Sequence, residues 1–261
     1  MHRLDFIKDH YTYKRGDKAR DEFLVPALNE SISYDRSVGF YTGYSLLAYG
    51  LSLHRIIRKE GYKIRLIASP KLGNPEISAL EKKVNRDEEY LSQINKHAEK
   101  IIDEACGLNA CGQVDNDNIT KILCWMLAND KLEIRLAIPV HVYDAGDHHE
   151  KEGIIHLPDG EKIWLHGSIN ESANAWFRQG DNLYVKCSWR NGEKTGVDNA
   201  LKMFNEIWQS CDDLDPNYPG VRIKSINKET LSKIKEKARG VEIQKLIDEE
   251  LESQSNLLPS E

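Results

Sequence analysis

Four polar residues in two short motifs could handle a phosphoryl group: His149 and Lys151 in HEKEGIIH, then Ser168 and Asn170 in HGSIN. One residue separates His149 from Lys151, so in an extended segment both project from the same face. The imidazole is a nucleophile and the ammonium a charge clamp. The amide and hydroxyl add neutral donors, and the set needs no metal to engage a phosphoryl group. Such chemistry requires the two motifs to meet. Between them stands LPDGE, in which Pro158 fixes φ and Gly160 takes the permissive position of a tight turn. That turn predicts an antiparallel pair, EKEGIIHLP against EKIWLHGSI, with both motifs at the end away from it.

Other elements must support this pair. SISYDRSVGFYT reads as a strand running through Gly39 into an apolar helical stretch, and KIRLIASP and KLEIRLAIPV are alternating strands in the same helix-then-strand context. DNITKILCWMLAND is an amphipathic helix capped by Asp117 or Asn118, and NLYVKCSW and GVDNALKMFNEIWQSC are a further strand and helix. This rhythm implies an α/β fold, a mixed β-sheet flanked by helices. The expected organisation is one domain over residues 1–211 with its core at about 31–208. A loop and a charged helical tail follow over 212–261.

With 261 residues, 40% of them hydrophobic and 30% charged, the chain can bury a full core. Its longest apolar run is too short and too polar to span a bilayer. The N-terminal stretch has no apolar signal region, so a cytoplasmic location is expected. Five cysteines at irregular spacing suggest reduced thiols rather than a disulfide framework or zinc ribbon. The net charge of −6 is evidence against nucleic-acid coating by bulk electrostatics. A local basic cleft stays compatible with it, because screening limits remote acidic groups to a reach of roughly 10 Å.

The order H-x-K, turn, G-S-x-N, acid, strand, Trp resembles the phospholipase D superfamily. More closely, it is similar to the phospholipase D-like nuclease domains that accompany helicases in bacterial restriction and phage-defence systems. The residues that carry this are HEKEGI, PDGE, GSINES, Trp176, Asp181 in QGDNLYV, and Trp189, with a weaker match upstream in SVGFYTGYSLLAYG. The resemblance implies a metal-independent phosphodiesterase, a DNA nuclease in which His149 forms a phosphohistidine and a second histidine protonates the leaving oxygen. Lys151 and Asn170 would hold non-bridging oxygens, Ser168 would assist and Asp181 would orient the histidine. With only one motif in the chain, the resemblance also implies a homodimer that pools two such sets, and a helicase or other ATP-driven protein as partner. The chain itself has no P-loop. No cofactor is implied.

The superfamily pattern has an aspartate where this chain has His156, and that departure keeps a second reading open: a catalytically inactive module that binds nucleic acid or a partner. Arg178 and Lys186 could meet DNA phosphates or be solvated. HVYDAGDHHEK reads as a metal cluster or as an exposed loop, and its spacings fit no standard ligand set. His156 and His166 are either site residues or satisfied histidines, and the tryptophans suit core packing more readily than base stacking.

Overall fold

The strand pair predicted around PDGE forms the middle of a larger sheet. The computed structural model describes residues 2–12, 16–39, 41, 43–69, 100, 102, 106, 118–139, 151–170, 176, 182–210 and 221–255. Among these, eight strands are present: β1 (His10–Thr12), β2 (Ser33–Val38), β3 (Lys63–Ala68), β4 (Leu132–Pro139), β5 (Glu152–His156), β6 (Lys162–Gly167), β7 (Asn182–Cys187) and β8 (Val221–Ser225). They make one sheet in the order β1, β7, β6, β5, β2, β3, β4, β8. β2, β3 and β4 run parallel, and every other pairing is antiparallel.

Among the described residues six α-helices flank the sheet: α1 (Val25–Glu30), α2 (Ser52–Arg58), α3 (Asn118–Ala128), α4 (Lys194–Gln209), α5 (Lys228–Lys237) and α6 (Ile243–Ser255). Strand alternation divides the apolar residues between two faces. Ile64, Leu66, Ile134, Ile155 and Leu165 meet α3 and its neighbours in the larger core. Ile67, Ala137, Ile154 and Ile223 turn the other way, onto Ala200, Phe204, Ile207 and Trp208. These four recur at helical spacing in α4, which is why that helix lies flat on the sheet.

Residues 221–255, within the stretch expected as loop and charged tail, hold β8, α5 and α6. β8 pairs with β4, and the fully buried Ile234 and Ile247 seat α5 and α6 on the larger core. Asn227 caps α5 by accepting from the Thr230 N–H at 2.8 Å. No helix among the described residues is long and apolar enough to cross a membrane.

The described cysteines, Cys106, Cys124 and Cys187, are free and buried. Burial pushes the Cys187 thiol up to about 12, so it is inert at neutral pH. Cys111 and Cys211 lie outside the described residues.

Candidate active site

β5 starts, and β2, β3, β4 and β6 end, at one edge of the sheet. Register fixes the two motifs there: Glu152 faces His166, Gly153 faces Leu165, and the Gly167 N–H donates to the Lys151 carbonyl at 3.2 Å. Lys151 therefore sits beside the first residue of G-S-I-N. A one-residue slip would turn every side chain of the pair to the wrong face, and the alternation of buried Ile155, Ile163 and Leu165 opposes it.

Each residue of Gly167-Ser168-Ile169-Asn170 has a distinct physical task. A Cβ at position 167 would lie 2.1 Å from the Asn182 carbonyl oxygen, so only glycine lets the chain leave β6 this close to β7. Ser168 then pairs twice with Asn182: its N–H donates to the Asn182 carbonyl, and its Oγ accepts from the Asn182 N–H, both at 3.0 Å. Its hydroxyl proton remains able to donate. Ile169 plugs the core at 3% exposure and anchors the turn. Asn170 is half-buried, and among the described residues nothing donates to its buried Oδ1.

Arg36, which sequence reasoning missed, underpins this turn. It is fully buried on β2, directly opposite Gly153, and its Nη2 donates to the Ile169 carbonyl, 133 residues away in the chain. The stem crosses β5 where Gly153 leaves space; a Cβ there would come within 3.1 Å of Arg36 Cδ and of Leu165. The signals were the arginine in the strand-like SISYDRSVGFYT and the glycine in HEKEGI. Only the cross-strand register connects them.

Position 156, where the superfamily pattern has an aspartate, belongs to a different part of the sheet. His156 closes β5 at the far end, five residues and therefore roughly 17 Å along the strand from Lys151, with the opposite facing. Its Nε2 lies 2.7 Å from Oδ2 of Asp35, which is 1% exposed on β2. Arg65 on β3 grips the same carboxylate through Nε to Oδ1 and Nη2 to Oδ2, both 2.6 Å, and donates to Asn205 Oδ1 at 3.0 Å. Burial alone would raise the pKa of Asp35. The His156 and Arg65 hydrogen bonds outweigh it and hold the carboxyl below its ordinary value. His156 is thus neither a surface histidine nor a site residue but one member of a buried three-strand ion cluster.

His149, Arg178 and Asp181 lie outside the described residues, as does the HVYDAGDHHEK run up to His149. Among the described residues no group of three His, Cys, Asp or Glu side chains could hold a metal ion. Lys186 is exposed on β7, on the α4 face of the sheet. Trp176 and Trp208 are core residues, at 6% and 7% exposure.

No family model matches the sequence, and no curated protein does. Among solved structures the chain is similar to NucT from Helicobacter pylori, with 13% identity and a TM-score of 0.41, over 77% of this chain and 95% of that one. It is also similar to a phospholipase D family member, Nuc from Salmonella typhimurium, with 12% identity and a TM-score of 0.40, over 77% of this chain and 92% of that one. At this degree of likeness the chemistry has to be read from the chain's own residues.

Proposed function

We propose that the chain is a metal-independent phosphodiesterase of phospholipase D type, acting as a DNA nuclease through a phosphohistidine. The observation that carries this reading is the meeting of Lys151 with Gly167-Ser168-Ile169-Asn170 at one sheet edge, directly after the His149 segment. A cation and neutral donors gathered there suit the non-bridging oxygens of a phosphodiester, whose negative charge grows in the transition state.

In this mechanism a nitrogen of His149 attacks phosphorus and the P–O bond to the leaving group breaks. A second imidazole protonates that oxygen. The same imidazole then takes a proton from water, which attacks phosphorus, breaks the P–N bond and releases a phosphomonoester and free His149. Lys151 and Asn170 hold the non-bridging oxygens, Ser168 assists, and Asp181 orients the nucleophile. The second imidazole is His149 of another copy, so the working species is a homodimer. Arg178 and Lys186 contribute phosphate contacts.

A role in restriction or antiviral defence alongside a helicase rests on the sequence resemblance alone. The reading as an inactive module rests on the missing aspartate and the chain's acidic balance; against the first, His156 stands at the far end of β5 from Lys151, bonded to Asp35.

The test is cleavage of single- and double-stranded DNA with excess EDTA present. The wild type should cut, and His149→Ala should cut at no more than about a thousandth of its rate, as expected for loss of a nucleophile. Cutting that requires added magnesium, or that persists in the variant, would refute the reading.

A further inference from the structure

The α4 face of the β1, β7, β6 end of the sheet carries a row of rings that the phosphodiester chemistry does not use. His10 and Tyr184 are cross-strand partners with centroids 4.4 Å apart and planes 7° from parallel. Tyr184 and His166 are the next pair, at 5.4 Å and 19°. His166 packs in turn on Trp164 at 4.5 Å. Lys186 Nζ stands 5.1 Å from the Trp164 ring centroid, completing the row with a cation. Tyr184 is 45% exposed, and Asn182 and Lys186 beside it on β7 are exposed as well. A tyrosine left this open on a strand otherwise alternating with buried Leu183 and Val185 forgoes the burial that its ring would normally seek.

Charge on this face is one-sided. Among the described residues β1, β6 and β7 turn toward it lysines, histidines, aromatics, a threonine and an asparagine, but no carboxylate. Acids border it instead: Glu152 stands opposite His166 on β5, Asp198 on α4 lies 3.8 Å from Lys162, Asp17 accepts from the Thr12 N–H, and Glu193 accepts from the Cys187 N–H. In a chain of net charge −6 an acid-free stripe of this kind marks a place for an anion with flat, apolar parts. Burial and the neighbouring Lys186 charge both lower the His166 pKa, so its ring is neutral at pH 7 and can stack without repelling Lys186.

We propose that this row is a base-stacking platform for single-stranded nucleic acid, with Tyr184 as its main ring and Lys186 as its phosphate contact. The proposal rests on the nuclease reading and gives it a substrate class. His166 immediately precedes Gly167-Ser168, so a strand lying on the platform reaches the edge where Lys151 and Asn170 stand. Duplex DNA hides its base faces and cannot use stacked rings in this way; an unpaired strand can.

Binding of a dye-labelled oligodeoxythymidylate, followed by anisotropy, and hydrolysis of bis-p-nitrophenyl phosphate, which is too small to reach the platform, separate the two claims. Tyr184→Ala should weaken single-strand binding about tenfold and Tyr184→Phe should restore it, in line with the usual effect of one base stack. Lys186→Gln should lower the salt dependence of binding by about 0.7 in the log–log slope. Hydrolysis of the small diester should be unchanged in both Tyr184 variants. Equal single-strand affinity in wild type and Tyr184→Ala, or duplex binding as tight as single-strand binding, would overturn the platform. Absence of small-diester hydrolysis in the wild type would overturn the nuclease reading instead, while the binding result would still judge the rings.

Discussion

Lys151→Met is expected to lower kcat on a small phosphodiester by about 10²–10³-fold, the usual cost of removing one preorganised charge-stabilising donor. The magnitude follows from the rigidity of its setting. The Lys151 carbonyl accepts from Gly167, the next residue begins β5, and β5 is paired on both sides, so the backbone that carries the ammonium is fixed. Methionine keeps most of the stem volume and removes the charge alone. KM should move much less than kcat, because the ammonium acts chiefly on charge that develops as the P–O bond breaks. Steady-state kinetics with bis-p-nitrophenyl phosphate decide it, and a variant within about threefold of wild type would remove Lys151 from the chemistry.

The second large effect is on stability. Asp35→Asn should cost about 3–5 kcal/mol, the range for breaking a buried ion pair from one side, because Arg65 and His156 would face a neutral amide. The pH dependence has a definite sign. The Asp35 carboxyl has a folded pKa below its ordinary 3.8, so its contribution is complete above that value and is lost as the pH falls through the lower folded value. Wild type should therefore lose this increment in acid below about pH 4, and Asp35→Asn should lack that part of the acid slope. Urea unfolding at pH 7 and across the acid range measures both. An undiminished ΔG at pH 7 would show that the cluster does not stabilise the sheet.

The fold was largely legible because its signals are local. The PDGE turn and the alternation on either side of it predicted β5 and β6, and the registers agree. KIRLIASP and KLEIRLAIPV became the adjacent parallel strands β3 and β4. β1 was not legible: three residues beside a charged N-terminal segment carry too little pattern, and their placement depends on β7. The last helices read only as a charged tail because charged residues dominate their composition. Their attachment depends on single buried positions such as Ile234 and Ile247, which composition averages away.

At the site, spacing revealed which residues could act, since H-x-K and G-S-x-N are contiguous motifs. It could not reveal what holds them. The hydrogen bond from Arg36 to Ile169 and the contact of Asp35 with His156 each join residues more than a hundred positions apart, through a sheet order that only folding defines. The same limit applied to the rings of His10, Tyr184 and His166, which alternate innocuously on three separate strands and become a row only in register.

The stereochemical course at phosphorus tests the core of this account most directly. Two successive in-line displacements, first by His149 and then by water, invert phosphorus twice. Hydrolysis of a chiral phosphorothioate diester in ¹⁸O-water should therefore proceed with net retention, and the activity should vanish in His149→Ala. Net inversion would mean that water attacks directly with no phosphohistidine, and would contradict the mechanism proposed for this sheet edge.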